Sequence, residues 1–150
     1  MLHLFRISIK YISDGEVTRD SSKKECDTFL HAYFKNISDG TIDCFLYEDT
    51  LGKSRLNKND WIIFAYDQAA YYTGIVKQAA KLDIVRYSEK SHARHTNYVK
   101  LDQLYPVSKR CKYRQIKDWE IKDVPPLGWP TFKINKQIEN IWKSLHKSKS

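Results

Sequence analysis

The sequence predicts an α+β domain in which a small, curved or barrel-like mixed sheet of roughly five to seven strands carries two main flanking helices. Three observations predict it. Two stretches, 22–37 and 134–145, repeat apolar residues at helical spacing. Short runs of β-branched and aromatic residues, of strand length, lie around them. The 150 residues are 41% hydrophobic and 13% aromatic, which suffices for one packed core and excludes wholesale disorder. Residues 1–146 read as a single domain, and 147–150 as a polar tail or the start of a linker.

In chain order, Phe5, Ile7, Ile9 and Tyr11 alternate with Arg6, Ser8 and Lys10, the period-two pattern of a half-buried strand. Ser22-Lys23-Lys24-Glu25 is a capping box, because a Ser hydroxyl and a Glu carboxylate three residues on satisfy orphan backbone donors at a helix start. Cys26, Phe29, Leu30, Tyr33, Phe34 and Ile37 continue that helix, and Ser38-Asp39-Gly40 ends it. A strand from Ile42 to Tyr47 follows, then an exposed polar loop from Glu48 to Asn59. Trp61 to Tyr66 and Tyr71 to Val76, joined by Asp67-Gln68-Ala69-Ala70, form a hairpin. Gly74 inside its second strand marks a bulge or a close approach. Leu82 to Tyr87, Tyr98 to Tyr105 and Lys112 to Ile121 read as further strands, with a basic loop at Ser88 to Asn97. The prolines of Val124 to Pro130 exclude helix and central strand there. Ile134, Ile138, Ile141, Trp142 and Leu145 mark a closing amphipathic helix.

Charge is concentrated. The net +8 of the chain includes +7 between Arg86 and Lys117, where nine basic residues face only Glu89 and Asp102. That segment also carries Tyr87, His92, His95, Tyr98, Tyr105 and Tyr113. Cations neutralise phosphates while rings stack on bases, so nucleic acid is the expected partner, with Arg86, Lys90, Arg94, Lys109, Arg110, Lys112 and Arg114 on its backbone. The competing reading is a solvated basic face that serves solubility. No run is long enough to span a bilayer, and no secretory leader opens the chain. Cys26, Cys44 and Cys111 are odd in number and far apart, so neither a disulfide framework nor a Cys-x-x-Cys site is expected. A soluble cytoplasmic protein is the expectation.

Chemistry-bearing motifs are sparse. His92 and His95 lack the further ligands that a zinc site requires, so no metal is expected and the pair reads as part of a phosphate-contacting loop. Asp43, Glu48 and Asp49 read as a solvated turn. No nucleophile elbow, P-loop or His-Glu-x-x-His is present, and neither enzymatic activity nor a cofactor is expected.

Asn59-Asp60-Trp61-Ile62-Ile63-Phe64-Ala65-Tyr66, the return strand Tyr72-Thr73-Gly74-Ile75-Val76, and the late Pro125-Pro126-Leu127-Gly128-Trp129-Pro130 before a final helix together resemble the PUA-like superfamily. The layout is similar to its EVE branch, with YTH and ASCH domains as relatives; Asn59 stands where the family more often has Gly. The resemblance implies a small barrel that binds nucleic acid, expected to be DNA, and holds one flipped base, modified bases included, in an aromatic-walled pocket. It further implies a role in modification-dependent restriction, beside a motor or nuclease domain in the same or a partner chain. An ASCH-like RNA-binding or RNA-cleaving protein is the alternative. Pocket membership then falls to Trp61, Tyr66, Tyr71, Tyr72, Trp119 and Trp129, set against the ordinary fate of strand aromatics, which is the core. Asp60 either caps a turn or accepts a hydrogen bond from a base N–H.

Overall fold

The computed structural model describes residues 1–87, 93–107 and 129–146. Its elements are β1 (Leu2–Arg6), α1 (Ile9–Ile12), α2 (Lys23–Ser38), β2 (Phe45–Asp49), β3 (Trp61–Tyr66), β4 (Ala69–Tyr87), β5 (Ala93–Pro106), β6 (Thr131–Phe132) and α3 (Lys136–Leu145). The strands form one mixed sheet in the order β2-β5-β4-β3-β1-β6, with β1 and β3 parallel and the other pairs antiparallel.

Alternation along β3 explains the layering. Ile62 and Phe64 face α2 in a core with Phe5, Leu30, Phe34, Phe45, Tyr72 and Val99. Ile63 and Ala65 face α3, with Leu2, Leu4, Ile138, Ile141 and Leu145. The central strands are therefore covered on both faces. Phe34 is fully buried and stacks on Tyr72 with ring centroids 4.7 Å apart. Burial of one such side chain contributes about 1.5–3 kcal/mol.

Both helix starts follow from their caps. Ser22 Oγ accepts from the Glu25 N–H at 3.1 Å and donates to Glu25 Oε1 at 3.0 Å. Asn135 Oδ1 accepts from the Ile138 N–H at 3.0 Å. Beyond α2, Gly40 takes φ +83°, the left-handed conformation that ends a helix at least cost in glycine.

Several expectations are corrected. The sheet does not close into a barrel: among the described residues β2 pairs only with β5, and β6 is two residues long and pairs only with β1. Where a barrel would join β1 to β2, aromatic side chains fill the space instead, Phe5 lying 5.1 Å from Phe45 and 5.4 Å from Tyr47. The first strand stops at Arg6 and not at Tyr11, because Ser8 starts the short helix α1. The second strand is displaced from Ile42–Tyr47 to Phe45–Asp49. The stretch from Glu48 to Asn59 is not uniformly exposed, since Asp49 and Leu56 are buried. Strands expected to be separate, Tyr71–Val76 and Leu82–Tyr87, are one strand. Pairing with β5 carries Lys77–Lys81 through in spite of its weak strand propensity. Of the basic loop expected at Ser88 to Asn97, the part from Ala93 on belongs to β5, and residues 88–92 lie outside the described residues. The expected strand at Lys112 to Ile121 lies outside the described residues, as does most of the proline-rich stretch.

The hairpin forms, but Ala69 and Ala70, expected in its connection, belong to β4 and pair with Tyr66 and Ala65, which leaves a two-residue turn. Asp67 and Gln68 both have positive φ, +50° and +62°, the geometry that matches the twist of the flanking strands. At Gly74 the β4–β5 register slips between Thr73 and Ile75, and an added Cβ would lie 3.2 Å from Leu101 Cδ2. Asn59, with φ +74°, occupies a position that favours glycine and that Asn tolerates.

Candidate functional site

Two adjoining clefts lie where the sheet stays open. The larger, about 740 Å³, is bounded by Lys10, Tyr11 and Ile12 of α1, Tyr33 of α2, Cys44 and Leu46 around β2, and Arg86 of β4. The smaller, about 180 Å³, sits between β1 and β2 and is lined by Phe5, Arg6, Tyr11, Tyr47, Glu48 and Arg94 among others. Tyr11 and Leu46 belong to both.

The β4–β5 pairing sets Arg86 directly opposite Arg94. Like charges so placed on an antiparallel ladder repel. Glu48 relieves the repulsion in part, its Oε1 lying 3.5 Å from Arg86 Nη1, while the Arg86 side chain stays 65% exposed. Burial, reinforced by the Glu48 carboxylate, pushes the Tyr11 phenol above its ordinary value, and burial pushes Tyr33 up to about 12. Both rings thus stay neutral at physiological pH and offer polarizable faces rather than anions. Cys44 is likewise raised by burial and by Asp43, which makes it a poor nucleophile. Together the clefts combine the cations Lys10, Arg86 and Arg94 with neutral rings and two carboxylates, Asp14 and Glu48.

The rings expected to wall a pocket are distributed over both faces of the sheet. Trp61 stacks on Trp142 of α3, centroids 4.6 Å apart. Tyr66, Tyr71 and Tyr72 lie on the α2 side, where the Tyr71 hydroxyl donates to Asp27 and Tyr66 Oη lies 3.8 Å from Cys26 Sγ. Burial and the Cys26 thiol push Tyr66 up to about 12. Trp129 packs edge-on against Phe5 and Tyr47, with the Arg55 guanidinium 5.2 Å over its ring. Trp119 lies outside the described residues, as do Lys90, Lys109, Arg110, Lys112, Arg114 and His92. Of the expected backbone contacts, Arg86 and Arg94 are placed, and they are brought together.

Asp60 is buried in a network of its own. Its Oδ2 accepts from the Asn57 N–H at 3.0 Å and from His3 Nε2–H at 2.8 Å. Trp129 Nε1–H donates to His3 Nδ1 at 2.8 Å. The indole nitrogen can only donate, so His3 Nδ1 carries a lone pair and the imidazole is neutral. Burial lowers the His3 pKa, opposed by its bond to Asp60. Burial would raise Asp60, but the Asn57 and His3 hydrogen bonds outweigh it and hold the carboxyl below the usual range.

Glu48 and Asp49, expected in a solvated turn, are strand residues. Asp49 is buried and takes a bidentate pair from Arg55, at 2.6 and 2.8 Å. The signal was present in Phe45-Leu46-Tyr47-Glu48-Asp49, whose alternation continues into the acids: Phe45, Tyr47 and Asp49 are all buried. Among the described residues no three His, Cys, Asp or Glu side chains gather as a metal site, and no helix is long and apolar enough to cross a membrane. Comparison with protein-family models, with curated proteins and with solved structures finds no match to this chain.

Proposed function

We propose that this chain is a nucleic-acid-binding domain of the PUA-like kind, which binds DNA and holds a flipped base, modified bases included, in the open seam of its sheet. The observation that carries the reading is the facing pair Arg86 and Arg94 at the mouth of clefts bounded by Tyr11 and Tyr33. Two cations held opposite each other cost stability that a bound phosphate would return. The larger cleft, about 740 Å³, has the size of a small-molecule site and admits a nucleotide. Extruding a base costs a few kcal/mol, and stacking on Tyr11 or Tyr33 returns roughly 1–3 kcal/mol per ring. The remaining cations of the basic segment extend the same charge along the chain.

Titration of labelled duplexes, unmodified, methylated and hydroxymethylated, over a salt series tests this. Affinity should fall steeply with salt, and Arg86→Glu with Arg94→Glu should flatten the logarithmic slope by about one per lost phosphate contact. Salt-insensitive affinity, or a double variant that binds as the parent does, refutes the reading. Equal affinity for every duplex removes the modified-base part alone, and tighter binding to RNA replaces DNA as the ligand.

A further inference from the structure

Buried polar atoms without a hydrogen-bond partner gather on the β2–β5 ladder. They are Glu48 Oε1, His95 Nδ1, Thr96 Oγ1 and Asn97 Oδ1 among the described residues, on neighbouring register positions: Tyr47 faces Asn97, Glu48 faces Thr96 and Asp49 faces His95. Native proteins satisfy nearly all such groups, because each one left unmade costs the desolvation of that atom. Glu48 differs from the other three in lining the 180 Å³ cavity, alongside Arg94 and the rings of Phe5, Tyr11 and Tyr47. Its nearest cation, Arg86, stands at 3.5 Å, an ion pair without a hydrogen bond. Acceptor capacity is therefore available in a cavity lined by aromatic rings and by Arg94.

We propose that Glu48 is a specificity-determining residue that reads guanine, its carboxylate accepting the N1–H and N2–H of the base. This deepens the nucleic-acid reading above and rests on it. The assignment follows from the edges of the bases. A carboxylate is acceptor-only and takes two parallel N–H groups. Guanine alone among the standard bases sets two adjacent N–H donors on its Watson–Crick edge, next to a carbonyl. Cytosine and adenine would turn a ring-nitrogen lone pair on the carboxylate, and thymine would turn a carbonyl on it. Flipped bases are read through this edge. Tyr11, which borders both clefts, supplies a ring face for the base, while Phe5 and Tyr47, edge-on to each other at 5.4 Å, close the apolar end of the cavity.

The test uses short single-stranded oligonucleotides that differ only in one central base, which avoids the cost of opening a duplex. Guanine should bind about tenfold more tightly than adenine, cytosine or thymine, within the range of a bidentate base contact. Hypoxanthine, which lacks only the N2 amine, should lose several-fold with the unaltered protein, so this arm does not depend on any variant folding. Glu48→Gln, which replaces one acceptor oxygen by a donor, should abolish the difference between guanine and hypoxanthine. Equal affinity for all five bases, or a guanine preference that survives Glu48→Gln, overturns the assignment and leaves the domain a base-indifferent binder. Failure to bind any of the oligonucleotides overturns the nucleic-acid reading itself.

Discussion

His3→Phe removes both ring nitrogens from a site that uses each of them. The ring is 3% exposed, donates to Asp60 at 2.8 Å and accepts from Trp129 at 2.8 Å. A hydrogen bond to a charged group contributes about 1.5–3 kcal/mol and a neutral one about 0.5–1.5, so the substitution should cost about 2–4 kcal/mol. For a domain of this size, that lowers the melting temperature by roughly 5–15 °C. The parent protein should also show a pH signature that the variant lacks. The folded-state pKa of His3 is lowered by burial, so the unfolded chain binds more protons below its own His pKa near 6.5. Stability is thus complete above about pH 6.5, declines as pH falls, and levels off below the folded pKa. Protonation would place an N–H on Nδ1 facing the Trp129 N–H, which adds a donor–donor contact to the electrostatic cost. Urea unfolding followed by tryptophan fluorescence, at a series of pH values from neutral to mildly acidic, measures both effects. The difference between parent and variant isolates His3 from the other histidines. A variant within about 0.5 kcal/mol of the parent, the range of an ordinary surface change, refutes the reasoning. So does an unchanged pH profile.

Three further substitutions test other parts of the framework by the same unfolding measurement. Asp49→Asn should cost about 2–3 kcal/mol, below the full figure for a broken buried pair because Arg55 is 35% exposed; a neutral result would mean that the pair merely offsets its own desolvation. Gly74→Val should cost about 1–3 kcal/mol by overpacking, since the first added carbon already meets Leu101 at 3.2 Å and Leu104 at 3.4 Å; equal stability would show that the two leucines yield freely. Ser22→Ala should cost about 1 kcal/mol by leaving the Glu25 N–H without its cap, and Ser22→Gly should recover most of that.

Local features were legible from the chain because their causes are local. The capping box at Ser22, the hairpin around Asp67 and Gln68, and the two faces of β3 each depend on residues a few positions apart. Strand ends were less legible. The alternation of Ile7, Ile9 and Tyr11 with Ser8 and Lys10 runs on past Arg6, where β1 stops, into α1, and pairing with β5 overrides the weak propensity of Lys77–Lys81. Asp60 was read as a turn residue or a base acceptor, and it does accept from the Asn57 N–H. Its second partner, His3, is 57 positions away, beyond the reach of any spacing argument.

By itself the sequence determined the α+β composition, the helix starts, the hairpin and the concentration of charge between Arg86 and Lys117, since periodicity, capping and charge are properties of neighbouring residues. Only the tertiary structure decided that the sheet stays open between β1 and β2, that Arg86 stands opposite Arg94, and that Glu48 Oε1 lies buried 3.5 Å from Arg86. Those outcomes depend on register. A slip of one residue in β2 would turn Glu48 to the opposite face, and no local pattern fixes which strand lies next to which.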